Sequence, residues 1–98
     1  MLGGLRSHIG VRNGIFRNVP AEQLAAGVLQ ALRDRYPAVR DVEAFYAGNA
    51  VGTGGNIARL AALLGGMADT VPALTIDMQC ASAAAAVEFG MLKIQCGL

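Results

Sequence analysis

One cysteine of this sequence stands where an apolar, strand-like stretch gives way to an alanine-rich stretch. The strand-like stretch ends at Ile76, and Cys80 follows a short polar turn. The amino end of a helix carries partial positive charge and free N–H groups, which favour a thiolate over a thiol. The same N–H groups could donate to the oxyanion that forms when a thioester is attacked. This pattern predicts Cys80 as an acyl-accepting nucleophile, although cysteine in this setting is also a common small core residue.

Asp77 and Cys96 bear on that prediction. The carboxylate of Asp77, close before Cys80, would disfavour a nearby thiolate. Cys96 is predicted at the far end of the same helix, about 24 Å away at a rise of ~1.5 Å per residue. A disulfide needs Cα atoms within about 7 Å, so we expect two reduced thiols, with Cys96 a core residue.

The remaining polar candidates have simpler structural interpretations. His8, the one histidine, has no acidic neighbour in sequence and is predicted at the surface. Arg59 could contact a ligand phosphate, but a structural salt bridge or subunit contact is the favoured interpretation. The residues Arg33, Asp34 and Arg35 are predicted as a solvated helix end. Two cysteines and one histidine without clustered spacing predict no metal site.

The segments that must position these residues alternate between helix and strand. Apolar spacing, proline and glycine positions predict helices over residues 21–36, 57–64 and 80–95, and strands over 42–46 and 71–76. Between the first strand and the second helix lies a glycine-rich loop, residues 48–55. It lacks the third glycine of a dinucleotide-binding fingerprint and the Gly-Lys-Ser/Thr of a phosphate loop. Alternation of this kind predicts an α/β layer fold, with the last helix buried between layers.

Composition limits the possible function classes. Of the 98 residues, 54% are hydrophobic and 15% are charged, against roughly 25% charged in ordinary domains. Such a chain is expected to bury apolar surface against further chain or a partner. A net charge of +1 without a basic run argues against nucleic-acid binding. Neither a signal peptide nor a membrane-length apolar stretch is found, so the expected location is the cytoplasm.

The chain resembles the thiolase family in three blocks that follow the family's order. The first pairs an Arg-x-x-Ile-Gly opening with a helix that begins Pro-Ala. The second joins a Gly-Asn turn to an Asn-x-Ala-Arg helix start and an alanine-leucine run. The third is the nucleophile block around Cys80-Ala81-Ser82. The matching residues are 6–10 with 19–24, 48–49 with 55–64, and 71–76 with 80–82.

This resemblance implies a layered α/β/α/β/α thiolase fold, of which residues 1–98 are an incomplete amino-terminal part. It implies coenzyme A thioester substrates, no covalently bound cofactor, no metal, and acylation of Cys80. It further implies a role in lipid metabolism and assembly as a homodimer or homotetramer, with residues 52–59 near the subunit contact. Catalytic histidine, asparagine and a second cysteine come from later segments in the family, which this sequence does not include.

Two alternatives accompany this interpretation. A ketosynthase-like condensing enzyme would also use a cysteine acyl-enzyme, but the segment after Asn49 is more similar to thiolases. A non-catalytic thiolase-like subunit is suggested by Asp77, where the family usually has asparagine, and by Ala83, where it usually has glycine. His8 likewise replaces the usual proline, and the methyl group of Ala83 could narrow the pocket beside Cys80. These departures leave the acyl substrate and the direction of the reaction open.

Overall fold

The computed structural model describes residues 1–52 and 54–97. After an irregular opening segment, three α-helices and two strands alternate. They are α1 (Ala21–Arg35), β1 (Phe45–Gly48), α2 (Ile57–Leu64), β2 (Ala73–Ile76) and α3 (Ser82–Gln95), with a 3-10 helix (Pro37–Asp41) between α1 and β1. The predicted α/β class is confirmed in the described part of the chain.

A parallel strand pair organises the fold. Strands β1 and β2 run parallel from Phe45 opposite Ala73 to Gly48 opposite Ile76, and α2 lies between them in sequence. Parallel strands need such a crossover, because the end of the first strand and the start of the second lie at opposite edges of the sheet. Buried Leu29 of α1 joins residues of α2 and of the segment before β2 in one apolar cluster. The carboxyl ends of both strands therefore point to the same edge, where α3 begins.

Helix α2 is fixed at both ends by local hydrogen bonds. At its start, the Asn56 side-chain oxygen accepts the Arg59 N–H at 3.2 Å and the Thr75 hydroxyl at 2.5 Å. The Thr75 oxygen in turn accepts the Ala58 N–H at 3.0 Å, so the helix start is tied to β2. At its end, Gly66 adopts a left-handed φ of 82° and the Met67 N–H reaches back to the Ala62 carbonyl at 2.9 Å. The predicted bounds of this helix are confirmed, with the predicted asparagine cap and glycine termination.

Three other predicted bounds were wrong. The first strand was predicted at 42–46, but pairing starts at Phe45, because the 3-10 helix that Pro37 opens occupies the chain to Asp41. The second strand was predicted from residue 71 but starts at Ala73. Before it, Val71 closes a turn through its N–H to the Ala68 carbonyl, and Pro72 has no N–H to donate. The last helix starts at Ser82 rather than at residue 80, because a tight turn at Gln79 holds the residues before it in a non-helical conformation.

The predicted solvated end of α1 was only partly correct. Arg33 is half-buried and donates from Nη1 to the Gly65 carbonyl at 2.7 Å, which ties the end of α1 to the end of α2. Asp34 and Arg35 are exposed, as predicted. None of the helices within the described ranges has the length and apolar character to cross a membrane.

Helix α3 is not enclosed by the described residues, contrary to the buried position predicted for it. It buries Ser82 and Ala86, whereas Val87, Phe89, Met91, Leu92 and Ile94 are all exposed. Half of the buried hydrophobic residues elsewhere are alanines, and the larger ones are Leu29, Ile57, Met67 and Val71. Apolar surface on this scale needs a cover.

A polypeptide of residues 1–98 produced by itself is therefore expected to aggregate or to remain molten. The exposed side chains of α3 would associate between molecules or would leave α3 loosely packed on the two strands. Circular dichroism during heating, combined with sedimentation, measures both properties. A monomer with a single cooperative unfolding transition would contradict this expectation.

Candidate active site

Cys80 lies in a tight turn between β2 and α3. The turn comprises residues 77–81 and is called the nucleophile turn below. Two short backbone hydrogen bonds close it, from the Ala81 N–H to the Met78 carbonyl and from the Ser82 N–H to the Gln79 carbonyl, each at 3.1 Å. Gln79 has a φ of 50°, a left-handed conformation that a non-glycine residue adopts only at a cost. This reversal explains why α3 cannot extend back through Cys80.

Side chains on both sides of Cys80 hold the nucleophile turn. The Ser82 hydroxyl donates to the Gln79 carbonyl at 2.6 Å and accepts the Met78 N–H at 2.8 Å. The Asp77 carboxylate accepts the Gln79 N–H at 3.0 Å. Asp77, which the sequence presented only as a charge near Cys80, thus has a defined role in the turn.

Gly48, at the end of β1, lets the start of α3 approach the sheet. A Cβ atom at Gly48 would lie 2.5 Å from the Ala83 nitrogen and from the Ser82 carbonyl carbon. Cβ atoms in proteins essentially never make contacts shorter than 3.0 Å, so only glycine fits here. Gly48 therefore allows the end of β1 to lie directly against Ser82 and Ala83, the first residues of α3.

Cys80 is exposed and lies beside an open helix end. Helix α3 starts at Ser82 with Ala81 as its cap residue, and no side chain caps it. Uncapped N–H groups leave the partial positive charge of the helix end available to an anion. An oxyanion that develops on a substrate held at Cys80 would gain from that charge.

The other candidate residues lie outside the nucleophile turn. Cys96 is the cap residue at the carboxyl end of α3 and is exposed, so its predicted core position was wrong for the described part of the chain. His8 is exposed, as predicted, and lines a groove of about 500 Å³ between the opening segment and α1. Among the described residues, no group of histidine, cysteine, aspartate and glutamate side chains is placed to hold a metal ion.

Arg59 has a structural role, although not as the ion pair that was predicted. Its guanidinium donates to the backbone carbonyls of Val71 and Asp69 at 3.0 and 2.9 Å. These bonds fix the loop between α2 and β2.

In the glycine-rich loop that precedes α2, Thr53 lies outside the described residues.

Ser82 and Gly48 are the two site residues whose roles sequence reasoning missed. Both belong to the blocks that resemble thiolases, but no role was assigned to either. A serine in the first helical turn after a predicted nucleophile is a signal, because a short hydroxyl side chain competes well for nearby backbone groups. A glycine at a strand end that faces a small-residue helix is another, because it marks close approach of a second backbone.

Comparison with known proteins gives one consistent family. The sequence profile described as "Thiolase, N-terminal domain" matches residues 1–98. The chain is 38% identical over 93 residues to "Putative acetyl-CoA C-acetyltransferase VraB" of Staphylococcus aureus strain COL, covering 94% of this chain and 24% of that protein. It is 39% identical over 92 residues to "Putative acetyl-CoA C-acetyltransferase YhfS" of Bacillus subtilis strain 168, covering 94% of this chain and 25% of that protein.

The fold agrees with the sequence comparison. The crystal structure of the Bacillus anthracis acetyl-CoA acetyltransferase superposes with a TM-score of 0.87 and 36% sequence identity, over 95% of this chain and 24% of that one. The chain thus spans about a quarter of the length of each of these relatives. The resemblance found in the three sequence blocks is confirmed: the chain belongs to the thiolase family, and the match lies within that family's amino-terminal domain.

Proposed function

We propose that this protein is a thiolase-type acyltransferase in which Cys80 carries the acyl group. The observation that supports this most is the position of Cys80, exposed in a tight turn beside the uncapped amino end of α3. The names of the relatives, two "Putative acetyl-CoA C-acetyltransferase" proteins and one acetyl-CoA acetyltransferase of known structure, support the same reaction class. Residues 1–98 would then be the incomplete amino-terminal part of a thiolase-like domain.

The proposed reaction has two halves. The Cys80 thiolate attacks the carbonyl carbon of an acyl-CoA, the tetrahedral oxyanion collapses, and the coenzyme A thiolate leaves. A second acyl-CoA then loses a proton from its α-carbon, the carbanion attacks the carbonyl carbon of the acylated Cys80, and Cys80 leaves as a thiolate, which gives a 3-ketoacyl-CoA. In the reverse direction the thiolate attacks the 3-keto carbon, a shorter acyl-CoA leaves and takes up a proton at its α-carbon, and the thiol of free coenzyme A then accepts the acyl group from Cys80. The acid–base groups for these proton transfers would come from outside residues 1–98.

The hydrogen bonds of the nucleophile turn weaken the alternative hypothesis of a non-catalytic subunit. Asp77 is one of the two departures behind it, the other being Ala83, and Asp77 accepts a backbone N–H through one side-chain oxygen. An asparagine offers a similar oxygen, so this departure retains the turn geometry. The similarity to acetyl-CoA acetyltransferases also favours a thiolase over a ketosynthase-like enzyme.

Three further properties are part of the proposal. Acyl-CoA thioesters are the substrates, and the intact protein acts in lipid metabolism in the cytoplasm. It assembles as a homodimer or homotetramer, with residues 52–59 near the subunit contact. Sedimentation of the intact protein at micromolar concentration tests the assembly, since a monomer would contradict it.

Brief incubation of the intact protein with acetyl-CoA or a longer acyl-CoA tests the acyl-enzyme directly. We expect mass spectrometry to find one acyl group, on the peptide that contains Cys80 and not on the peptide that contains Cys96. The reason is that only Cys80 lies at the positive end of α3. Prior acylation should also slow iodoacetamide labelling of Cys80. A folded protein that takes no acyl group from several chain lengths would instead indicate the non-catalytic subunit.

A further inference from the structure

Ser82 is the most buried polar residue described, at 4% exposure. It follows Cys80 in the chain, but its hydroxyl bonds to backbone groups that precede Cys80. It accepts the N–H of Met78 and donates to the carbonyl of Gln79, both of which precede Cys80 in the chain. Its own backbone belongs to the first turn of α3, which follows Cys80. We call these two hydrogen bonds the Ser82 clasp.

The nucleophile turn needs such a clasp because its backbone conformation is unfavourable. Gln79 is left-handed at a φ of 50°, without the freedom that glycine would have there. Strained conformations of this kind persist only where the surrounding structure over-determines them. Here the Gln79 carbonyl is held by Ser82 and the Gln79 N–H by Asp77, so both of its backbone groups are fixed.

The alternative to the clasp is a longer helix. The alanine-rich sequence after Cys80 favours helix, and helical spacing alone predicts that α3 starts at residue 80. Without the Ser82 hydroxyl, Gln79 is freer to leave the left-handed region, and Ala81 and Cys80 can join the helix. The positive helix end would then move towards the start of the chain, and Cys80 would lie within the helix and no longer in the turn that precedes it.

We propose that Ser82 is a positioning residue for Cys80: its hydroxyl keeps α3 from extending and so holds the thiol at the helix end. This inference rests on the proposed function in that Cys80 is the acyl-accepting residue. Ser82 itself takes no part in bond making. It acts through the backbone of Met78 and Gln79.

The test compares Ser82→Ala with Ser82→Thr in the intact protein, by the rate at which iodoacetamide alkylates Cys80. We expect Ser82→Ala to slow this rate by up to about 10-fold, the scale of a charge interaction at a helix end. Ser82→Thr retains a hydroxyl and should restore most of the rate. Ser7→Ala is the matched control, because Ser7 is the one other serine and, among the described residues, its hydroxyl bonds only to the adjacent His8 carbonyl.

Cys96 supplies an internal control in the same molecule. Loss of folded structure would bring both cysteines to the rate of an ordinary exposed thiol and would change the circular dichroism, whereas loss of positioning lowers the Cys80 rate in a protein whose circular dichroism and Cys96 rate are unchanged. A folded Ser82→Ala protein with an unchanged Cys80 rate would overturn the proposal, and so would a Ser82→Thr protein as slow as Ser82→Ala. Where acyl transfer is measured, we expect kcat to fall in Ser82→Ala with little change in KM.

Asp77 provides a second route if the buried Ser82 substitutions do not fold. Asp77 is exposed, so its substitution disturbs no packing. We expect Asp77→Ala to slow Cys80 alkylation and Asp77→Asn to retain it, because only asparagine keeps an oxygen for the Gln79 N–H. Equal rates in the two variants would overturn the role given to the held turn. Alkylation needs no acyl-CoA, so these results stand apart from the outcome of the acylation experiment.

Discussion

Cys80→Ser is expected to remove acyl-enzyme formation and acyl transfer from the intact protein. A serine hydroxyl at this position stays protonated at neutral pH, because the helix end cannot stabilise an alkoxide enough to form it. The expected loss of acyl transfer is on the order of 10³-fold or more, as for removal of other enzymatic nucleophiles. Mass spectrometry of the acylated peptide and a coupled assay of coenzyme A release measure the two effects separately.

Cys96→Ser is the matched control for that substitution. Cys96 ends α3, its side chain is exposed, and its N–H bonds to the Leu92 carbonyl at 2.9 Å, a bond that serine retains. We expect full acylation and a change in the free energy of unfolding within about 0.5 kcal/mol. If acylation survived Cys80→Ser and disappeared in Cys96→Ser, the assignment of the nucleophile would be wrong.

Gly48→Ala is expected to disrupt the packing of α3 on the strands. The added methyl group would meet backbone atoms of Ser82 and Ala83, which cannot rotate away as a side chain would. Strand β1 and helix α3 would have to separate, at a cost of about 3 kcal/mol or more in the free energy of unfolding. Denaturant unfolding of the intact protein measures this cost, and Cys80 alkylation reports the damage to the nucleophile turn.

Gly90→Ala serves as the control, because it makes the same chemical change within α3. A Cβ atom at Gly90 would meet the Tyr46 ring at 3.8 Å, an ordinary contact. Replacing a helical glycine with alanine usually stabilises by about 0.5–1 kcal/mol, so we expect a small gain. Equal stability of the Gly48→Ala and Gly90→Ala proteins would refute the close approach of β1 and α3.

The sequence predicts those parts of the fold that local chemistry decides. Pro20 precedes α1 and Pro37 follows it closely. Asn56 caps the start of α2 through the Arg59 N–H, and Gly66 turns the chain just after the end of α2. Cys80 was correctly predicted to lie between a strand and a helix, because the apolar stretch and the alanine-rich stretch flank it, but it lies in the turn and not at the predicted helix start. Each of these signals lies beside the feature that it predicts.

The features that sequence reasoning missed depend on distant partners. Strand β1 starts where β2 can pair with it, at Phe45 opposite Ala73, and the apolar character of Val42 carries no information on that register. Arg33 lies among charged residues in sequence, but its guanidinium finds the Gly65 carbonyl of another helix. The start of α3 was misplaced because alanine propensity favours helix, whereas the bonds of Ser82 and Asp77 favour a turn.

The parallel pairing of β1 and β2 has a consequence for how the protein is made. The two strands can pair only after the whole of α2 has been synthesised between them. The chain therefore loses the entropy of closing a long loop before strand pairing can stabilise it. The Asn49 N–H, just past β1, bonds to the Ile76 carbonyl at 3.0 Å, next to the turn that holds Cys80. Cys80 is therefore expected to be an ordinary thiol on the nascent chain and to gain its reactivity late in folding. Pulsed alkylation during refolding would follow that gain in time.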